Sequence, residues 1–314
     1  MTLPTTEPWQ WPEAVWRPLV EHVRAGQSLT PARWPGGAQV AVGISFDADH
    51  ETPALRDAAT TPGTLSTGQY GARTGQRRIL DLLARHDVPA SFYVPAVSAL
   101  LYPGQIADFV DAGHEVGVHG WIHERNTLLA YEDELDLTGR SLDVLEKASG
   151  RRPTGIRTPS WDFSPNTLQI IRQLGFTYDS SLMADDEPYE LLAAGSPTGI
   201  IELPVEWIRD DAPYFGFARY AAVRPHSTPA DVLGIWKAEF DGALQEGGLF
   251  QLTMHPALIG HRSRIGILEE LITYIREKSD AWFATHEDIA RHVAPGLLAG
   301  SASAGDYAAA GQPV

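Results

Sequence analysis

Two aspartates separated by one residue stand in the segment SFDADHE, directly after the apolar run AQVAVGI. They are Asp47 and Asp49, and with the next two residues they place four ionisable side chains within five positions. Carboxylates arranged in this way can divide two tasks, because one can move a proton while the other binds a cation. Taken alone, the pair is more simply explained by turn and cap chemistry at the end of a strand.

Two histidines, His119 and His123, stand four residues apart in the segment HGWIH. On a helical turn these positions lie on one face, so we expect that the two imidazoles can share a metal ion. One carboxylate from the DAD segment would complete a site of two histidines and one acid, which leaves positions open for water and substrate. The spacing alone is a weak signal in a chain with 11 histidines.

Further polar residues follow other apolar segments that read as strands. Arg157 lies in IRTPSWD, Asp179 in YDSS and His255 in LTMHP. Singly, each has a commoner structural role, namely an ion-pair partner, a cap and a core histidine, and Trp161 reads as a core residue. Together with the DAD and HGWIH segments they place an acid–base set at five strand ends, a coincidence that separate structural roles do not explain.

The elements that position these residues alternate along the chain. Strands are predicted over residues 39–46, 89–95, 114–119, 154–159, 176–181, 199–205, 248–256 and 281–285, and helices over 75–87, 105–113, 133–150, 164–175, 230–247, 265–278 and from 286. The alternation implies βαβ crossovers and a parallel sheet, and about seven such units fit an irregular (β/α)7-type barrel of the α/β class. Active sites in such barrels form at the carboxyl ends of the strands. We expect Ser164 to be the N-cap of its helix.

The domain organisation predicted from composition has three parts. Residues 1–37 are rich in Trp and Pro and are expected to wrap the surface. Residues 38–298 form a single catalytic barrel domain. Residues 299–314 are small-residue low complexity, which is typical of a flexible tail.

Charge and composition exclude several classes of function. The 40 acidic and 24 basic residues give a net charge of −16, and no cluster of Lys and Arg is present to bind nucleic acid. The absence of cysteine excludes disulfides, thiolate zinc sites and cysteine nucleophiles. No run approaches the ~18 apolar residues of a membrane helix. Without a leader-like N-terminus, we expect a cytoplasmic protein.

The segments FDAD, HGWIH, RTPSW, YDSS and LTMHP resemble, in this order, the five motifs of the polysaccharide deacetylase family, carbohydrate esterase family four. The resemblance spans residues 39–290 and implies a deacetylase-like barrel that hydrolyses a non-peptide carbon–nitrogen bond. Most members have adjacent aspartates. The DAD spacing, with YGARTGQRRIL, GHEVGVHGWIHE and DDAPYF, is similar to a branch with peptidoglycan deacetylase-like proteins, metal-free allantoinases and cyclic imide hydrolases.

The resemblance implies a role for each catalytic residue. Asp49, His119 and His123 would hold a divalent metal, with zinc as the expected ion. Asp47 would be the general base and Arg157 would keep it ionised and oriented. His255 would protonate the leaving amine, and Asp179 would hold His255 charged and aimed.

The resemblance also implies contacts to the substrate. The backbone N–H of Ser160 would stabilise the oxyanion, and Trp161 and Arg73 would bind substrate. Glu51 is open between a hydrogen bond to a ligand or substrate and exposure to solvent.

Several functions stay open at this stage. An N-deacetylase of an N-acetyl sugar is expected first, and a hydrolase of a small soluble cyclic imide or ureide is the alternative. An iron(II) oxygenase would use the same ligand set, but such sites usually lie on all-β double sheets. A non-catalytic carbohydrate-binding protein would need neither Asp47 nor His255 at strand ends. The branch often forms oligomers, which suggests a homo-oligomer.

Overall fold

A ten-stranded sheet is the framework of the protein in the computed structural model, which describes residues 4–216 and 227–295. The strands are β1 Val23–Ser28, β2 Val40–Asp47, β3 Ser91–Val94, β4 Glu115–Val118, β5 Gly155–Ile156, β6 Tyr178–Asp179, β7 Tyr189–Ala193, β8 Ser196–Glu202, β9 Leu249–Met254 and β10 Ala281–Ala284. The sheet curls into a half-barrel, so the predicted α/β barrel-like class is confirmed.

Helices connect and cover the strands. They are α1 Glu13–Glu21, α2 Thr52–Arg56, α3 Pro62–Tyr70, α4 Gln76–His86, α5 Ala96–Leu101, α6 Gln105–Asp111, α7 Tyr131–Ser149, α8 Thr167–Gln173, α9 Ala212–Phe215, α10 Pro229–Glu246, α11 Pro256–Ile259, α12 Ile265–Lys278 and α13 His286–Val293. A single π-helical turn, Gly71–Gly75, joins α3 to α4. Among these elements, none is a helix both long and apolar enough to cross a bilayer.

Strand β2 lies at the centre of the arrangement. It pairs in parallel with β9 along one edge, and with β10 and then β3 along the other. The parallel order continues through β4, β5, β6 and β8. Because the strands are parallel, their carboxyl ends meet at one rim of the half-barrel. Beyond β8, Asp210 forms a parallel bridge to Thr253 of β9 and brings the segment after β8 to the same rim.

One end of the sheet is antiparallel, which the sequence pattern did not predict. Strands β7 and β8 form a hairpin around Ala194 and Gly195, both of which have positive φ. Strand β1 pairs with β7, so the N-terminal segment adds an edge strand. The sequence VRAGQS of β1 is polar, as an exposed edge allows, and it lacks the apolar run that marks a buried strand.

Helix α8 begins later than predicted. Its first residue is Thr167 and its N-cap is Asn166, so the prediction of Ser164 as N-cap was wrong. The Ser164 hydroxyl still accepts hydrogen bonds from the backbone N–H groups of Asn166 and Thr167, and it donates to Glu134 at 2.5 Å. Ser164 therefore organises the turn that leads into the helix.

The apolar core holds the rim residues in fixed positions. All eight residues of β2 are buried. Phe46 stacks on Phe92 at 5.1 Å, and Phe92 stacks on Phe109 of α6 at 3.9 Å between ring centroids. Burial of several aromatic rings contributes on the order of several kcal/mol, so the end of β2 is rigid where Asp47 leaves it.

Candidate active site

Five side chains from three strand ends converge at the carboxyl rim. We call Asp47, Asp49, His119, His123 and His255 the rim cluster. His255 Nε2 lies 3.9 Å from Asp47 Oδ2 and 3.8 Å from Asp49 Oδ2. His119 Nε2 lies 3.7 Å from Asp47 Oδ2 and 3.4 Å from Asp49 Oδ1. The structure thus brings together residues that are up to about 200 positions apart in the sequence.

Asp47 and Arg157 form a buried ion pair. Arg157 Nη1 donates to Asp47 Oδ1 at 2.7 Å, and the guanidinium also donates to the Ser45 hydroxyl and to Ser180. Burial alone would raise the pKa of Asp47, but the charge of Arg157, with His119 and His255, holds it below its usual range. Asp47 is therefore an ionised base at neutral pH, and Arg157 lies where the sequence predicted.

Asp49, His119 and His123 each offer an atom that could hold a metal ion, and these atoms lie within 4.8 Å of one another. Asp49 Oδ1 and His119 Nε2 are buried, and neither has a hydrogen-bond partner in the described part of the chain. Burial, together with the negative charges of Asp47 and Asp210, raises the pKa of Asp49 to about 8, although His255 opposes the shift. A buried acid whose charged form is disfavoured by burial, beside an imidazole nitrogen without a hydrogen-bond partner, fits a cation site.

His119 is held in the tautomer that a metal requires. Its Nδ1 lies 2.8 Å from the carbonyl oxygen of Arg157, which can only accept a hydrogen bond. Nδ1 therefore carries the proton, and the lone pair of Nε2 faces Asp49. A back-side carbonyl of this kind is the usual partner of a metal-binding histidine.

His123 lies in a bent loop, so the prediction of a helical turn for HGWIH was wrong. Gly120 has φ 71° and His123 has φ 63°, and neither conformation occurs inside a right-handed helix. Glu124 closes the loop, because its carboxylate accepts hydrogen bonds of 2.8–2.9 Å from the backbone N–H groups of Trp121 and Ile122. His123 Nε2 nevertheless lies 3.5 Å from Asp49 Oδ2.

The back side of His123 faces a cation instead of an acceptor. Arg56, the last residue of α2, donates from Nη1 to His123 Nδ1 at 2.9 Å. No sequence motif pointed to Arg56. Its only signal was its position five residues after the acidic segment.

The partner of His255 is Asp211. His255 Nδ1 lies 2.7 Å from Asp211 Oδ1, and the backbone N–H of His255 donates to the same carboxylate. The prediction that Asp179 orients His255 was therefore wrong. Burial would lower the pKa of His255, but Asp210, Asp211 and Asp49 raise it well above its usual range. His255 is thus a charged imidazole aimed at the other members of the rim cluster.

Asp179 forms a different buried pair. It accepts from the Ser181 hydroxyl at 2.9 Å and pairs with the carboxyl group of Glu202. Burial raises the pKa of Asp179 to about 6, and burial with the charge of Asp179 raises the pKa of Glu202 well above its usual range. Glu202 is therefore the proton donor of this pair, and the two acids support the end of β6.

An aromatic surface borders the rim. Ser160 and Trp161 follow Arg157 and both have positive φ, an uncommon conformation that places the two residues in a tight turn. Trp161 is buried and packs against Trp207 with 3.9 Å between ring centroids, while Trp207 is 44% exposed. Ser160 is exposed.

The two remaining predicted residues lie outside the rim cluster. Glu51 is half-buried and accepts a hydrogen bond from the Tyr102 hydroxyl at 2.6 Å, so it is not a freely solvated acid. Arg73 is exposed on the π-helical turn. No hydrogen bond or ion pair joins Arg73 to the rim cluster in the described ranges.

Comparison with known proteins agrees with this geometry. The family model for polysaccharide deacetylase matches residues 63–178. A solved structure of a Mycobacterium smegmatis protein classed with the polysaccharide deacetylases is 35% identical and has a TM-score of 0.80. That match covers 87% of this chain and 96% of the other. The chain belongs to the polysaccharide deacetylase family.

Two other similar proteins have names that state an activity. The peptidoglycan deacetylase of Helicobacter pylori is 28% identical over 280 residues, which is 80% of this chain and 94% of that protein. The crystal structure of PuuE allantoinase is 25% identical with a TM-score of 0.73, and covers 85% of this chain and 94% of that one. The predicted family is confirmed, and the chain is a hydrolase of carbon–nitrogen bonds other than peptide bonds.

Proposed function

We propose that this polysaccharide deacetylase is a metal-dependent N-deacetylase that releases acetate from an N-acetyl sugar. The observation that carries the proposal is the rim cluster itself. An ionised base, Asp47, lies 3.7 Å from His119 Nε2, and a charged acid, His255, lies 3.8 Å from Asp49 Oδ2. Asp49 Oδ1 and His119 Nε2 have no hydrogen-bond partner in the described part of the chain. Amide hydrolysis needs a base and an acid at one place, and a carbohydrate-binding module needs neither.

Asp49, His119 and His123 would hold the metal, with zinc as the expected ion. When bound, the ion supplies Lewis acidity that polarises the amide carbonyl and lowers the pKa of water. The protein's own contribution is to fix the ligands. The Arg157 carbonyl orients His119, and Ser98 and Thr52 both donate their hydroxyls to the backbone carbonyl of Asp49.

The two protons of the reaction are handled by Asp47 and His255. Asp47 takes a proton from water as the water oxygen bonds to the amide carbon. His255 gives its proton to the leaving nitrogen as the carbon–nitrogen bond breaks, which yields acetate and a free amine. Asp211 keeps His255 charged for this step, and Arg157 keeps Asp47 ionised.

The aromatic border suits a sugar. Trp207 is 44% exposed beside Trp161, and an exposed aromatic side chain can pack against the apolar face of a pyranose ring. The backbone N–H of Ser160, an exposed residue, would donate to the oxyanion. The likeness to a peptidoglycan deacetylase supports an N-acetylated amino sugar as the substrate class.

The test is acetate release from N-acetylglucosamine oligomers by the wild type and by Asp47→Asn. We expect release by the wild type and a loss of about 100-fold or more in kcat for the variant. Retained oligomer binding by the variant would show that its site is intact. Equal rates for both proteins would overturn the role of Asp47, and binding without any hydrolysis would favour a binding protein.

A second candidate is the hydrolysis of a small cyclic imide or ureide without a metal. The structural likeness to an allantoinase favours it, and so does the hydrogen bond from Arg56 to His123, which opposes metal ligation. Hydrolysis of succinimide-type imides or allantoin in the presence of chelator, with no acetate release from sugars, would select this candidate. Cytoplasmic location and homo-oligomer formation stay predictions.

A further inference from the structure

The two histidines of the candidate metal site have back-side partners of opposite polarity. His119 faces a carbonyl oxygen, which accepts. His123 faces the guanidinium of Arg56, which has donors only and does not lose its proton in proteins. The difference fixes where each neutral imidazole carries its proton.

For His123 the consequence is opposite to that for His119. Because Arg56 donates to Nδ1, that nitrogen must hold the lone pair. The proton of the neutral ring then lies on Nε2, which is directed at Asp49 Oδ2 at 3.5 Å. A protonated Nε2 has no lone pair for a metal ion, so this arrangement and metal ligation through Nε2 exclude each other.

Arg56 is held firmly in this position. Its Nε and Nη2 donate to both carboxylate oxygens of Asp57 at 3.0 and 2.9 Å, and Arg125 contacts the same carboxylate at 3.2 Å. The Arg56 side chain is only 18% exposed. Two parallel bonds to one carboxylate set the orientation of a guanidinium, so the contact with His123 is not that of a freely rotating surface side chain.

We propose that Arg56 is a positioning residue that tunes metal affinity by holding His123 in the tautomer that does not bind metal. Loading of the site then requires the His123 proton to move from Nε2 to Nδ1 and the contact with Arg56 to break. The ion is consequently held more weakly and more reversibly than the ligands alone would hold it. This proposal rests on the metal site of the proposed function, but its test does not use activity.

The first experiment reads the tautomers in the metal-free wild type by long-range ¹H–¹⁵N correlation spectra of the histidine rings. His119→Gln and His123→Gln variants assign the two signals. We expect the proton on Nδ1 of His119 and on Nε2 of His123. A His123 ring protonated on Nδ1 would overturn the proposal, and no Arg56 variant is needed for this result.

The second experiment measures zinc affinity by competition with a chelator of known affinity. Arg56→Met removes the donor and keeps an unbranched, apolar side chain in place of the arginine stem. Arg125→Met is the matched control, because it removes a charge beside Asp57 without touching His123. We expect Arg56→Met to bind zinc about 10- to 100-fold more tightly, the range over which partners of metal-binding histidines act. We expect Arg125→Met to bind zinc as the wild type does.

Three outcomes separate this proposal from its alternatives. Tighter zinc binding by Arg56→Met with an unchanged His123 tautomer would reduce the effect to charge repulsion and overturn the tautomer explanation. Equal zinc affinities in the wild type and Arg56→Met would overturn the role of Arg56 and leave the metal-dependent function untouched. Zinc binding by neither protein, with hydrolysis intact in chelator, would overturn the metal-dependent function as well.

Discussion

At the scale of single residues, the two aspartates of the DAD segment have opposite electrostatic settings. Arg157 compensates the charge of Asp47 and keeps its pKa low, whereas burial raises the pKa of Asp49 to about 8. Because one residue separates Asp47 from Asp49, their side chains contact different neighbours. The division of labour predicted from the sequence, one acid for a proton and one for a cation, thus has a physical basis.

The Asp211–His255 pair gives a first prediction. Asp211→Asn removes the charge that keeps His255 protonated, so we expect kcat to fall by about 100-fold or more with a small change in KM. Asp179→Asn is the comparison, because Asp179 does not contact His255 in the structure. Steady-state kinetics of both variants provide the measurement. A larger loss for Asp179→Asn would restore the original assignment of this role.

The same pair gives a pH prediction. The pKa of His255 is raised, so the acid form persists above the ordinary value of about 6.5 and is lost as pH rises through the raised value. We expect the alkaline limb of kcat/KM to lie above that ordinary value in the wild type, and to move to lower pH in Asp211→Asn. An alkaline limb that is unchanged in the variant would show that another group controls it.

The residues at strand ends could be predicted because a parallel sheet gathers them at one rim. Asp211 was missed for the same reason. It follows a short 3-10 helix, Trp207–Arg209, and reaches the rim through the bridge from Asp210 to β9 instead of through a strand end. The two adjacent acids in DDAPYF were the signal for Asp211 in the sequence. They do not follow a predicted strand, so the search for polar residues at strand ends assigned them no role.

At the scale of elements, the segment from α3 to α4 packs against the backbone next to the site, at His50 and Pro256. Two of its glycines, Gly68 and Gly75, lie where a side chain would meet backbone. A Cβ on Gly68 would lie 2.2 Å from the carbonyl of His50, and a Cβ on Gly75 would lie 2.0 Å from the carbonyl oxygen of Pro256, next to His255. The π-helical turn joins α3, which contains Gly68, to α4 and ends at Gly75. Such turns often lie at functional sites.

Gly75→Ala tests this packing. The added methyl must displace Pro256, so we expect a loss of about 1–3 kcal/mol in unfolding free energy and a lower kcat through movement of His255. Gly63→Ala is the matched control in the same segment, since nothing lies within 4 Å of its Cβ. We expect that variant to keep wild-type activity. Chemical denaturation and steady-state kinetics of both variants provide the measurement. Equal unfolding free energies and equal kcat values in the two variants would contradict the proposed packing role of Gly75.

The HGWIH loop shows what the sequence could not reveal. The four-residue spacing brings His119 and His123 together in either a helix or a bent loop, so the expected proximity is found although the expected conformation is not. The bend depends on Gly120 and on the capping carboxylate of Glu124. Only the three-dimensional structure shows which of the two conformations these residues select.

At the scale of the whole molecule, the regular part of the fold could be predicted and its irregular edge could not. Alternating buried strands and helices identify the parallel half-barrel because βαβ crossovers leave a strong periodic pattern. Strand β8 overlaps the strand predicted over residues 199–205, but β7 and the edge strand β1 carry weaker patterns, since they are short and partly polar.

Global stability should depend on the buried acid pair. Asp179 and Glu202 have raised pKa values, so the folded state retains protons that the unfolded state releases above about pH 4. Their stabilising contribution is therefore full below that pH and declines as pH rises through about 6 and beyond. Glu202→Gln supplies a permanent N–H donor to Asp179, so we expect a smaller decline.

Urea unfolding at pH 5 and pH 8 measures this effect. We expect the difference in unfolding free energy between the two pH values to shrink in Glu202→Gln by on the order of 1 kcal/mol. Glu277→Gln, at an exposed position of α12, is the control. The same pH dependence in all three proteins would show that the Asp179–Glu202 pair does not set it.

We propose that Asp49, His119 and His123 make this hydrolase metal-dependent. The most direct measurement is acetate release from N-acetylglucosamine oligomers by chelator-treated protein, before and after zinc is added back, with His119→Ala as the control. We expect chelation to abolish acetate release, added zinc to restore it in the wild type, and His119→Ala to stay inactive. Full activity in the chelated, metal-free wild type would show that the enzyme does not depend on a metal.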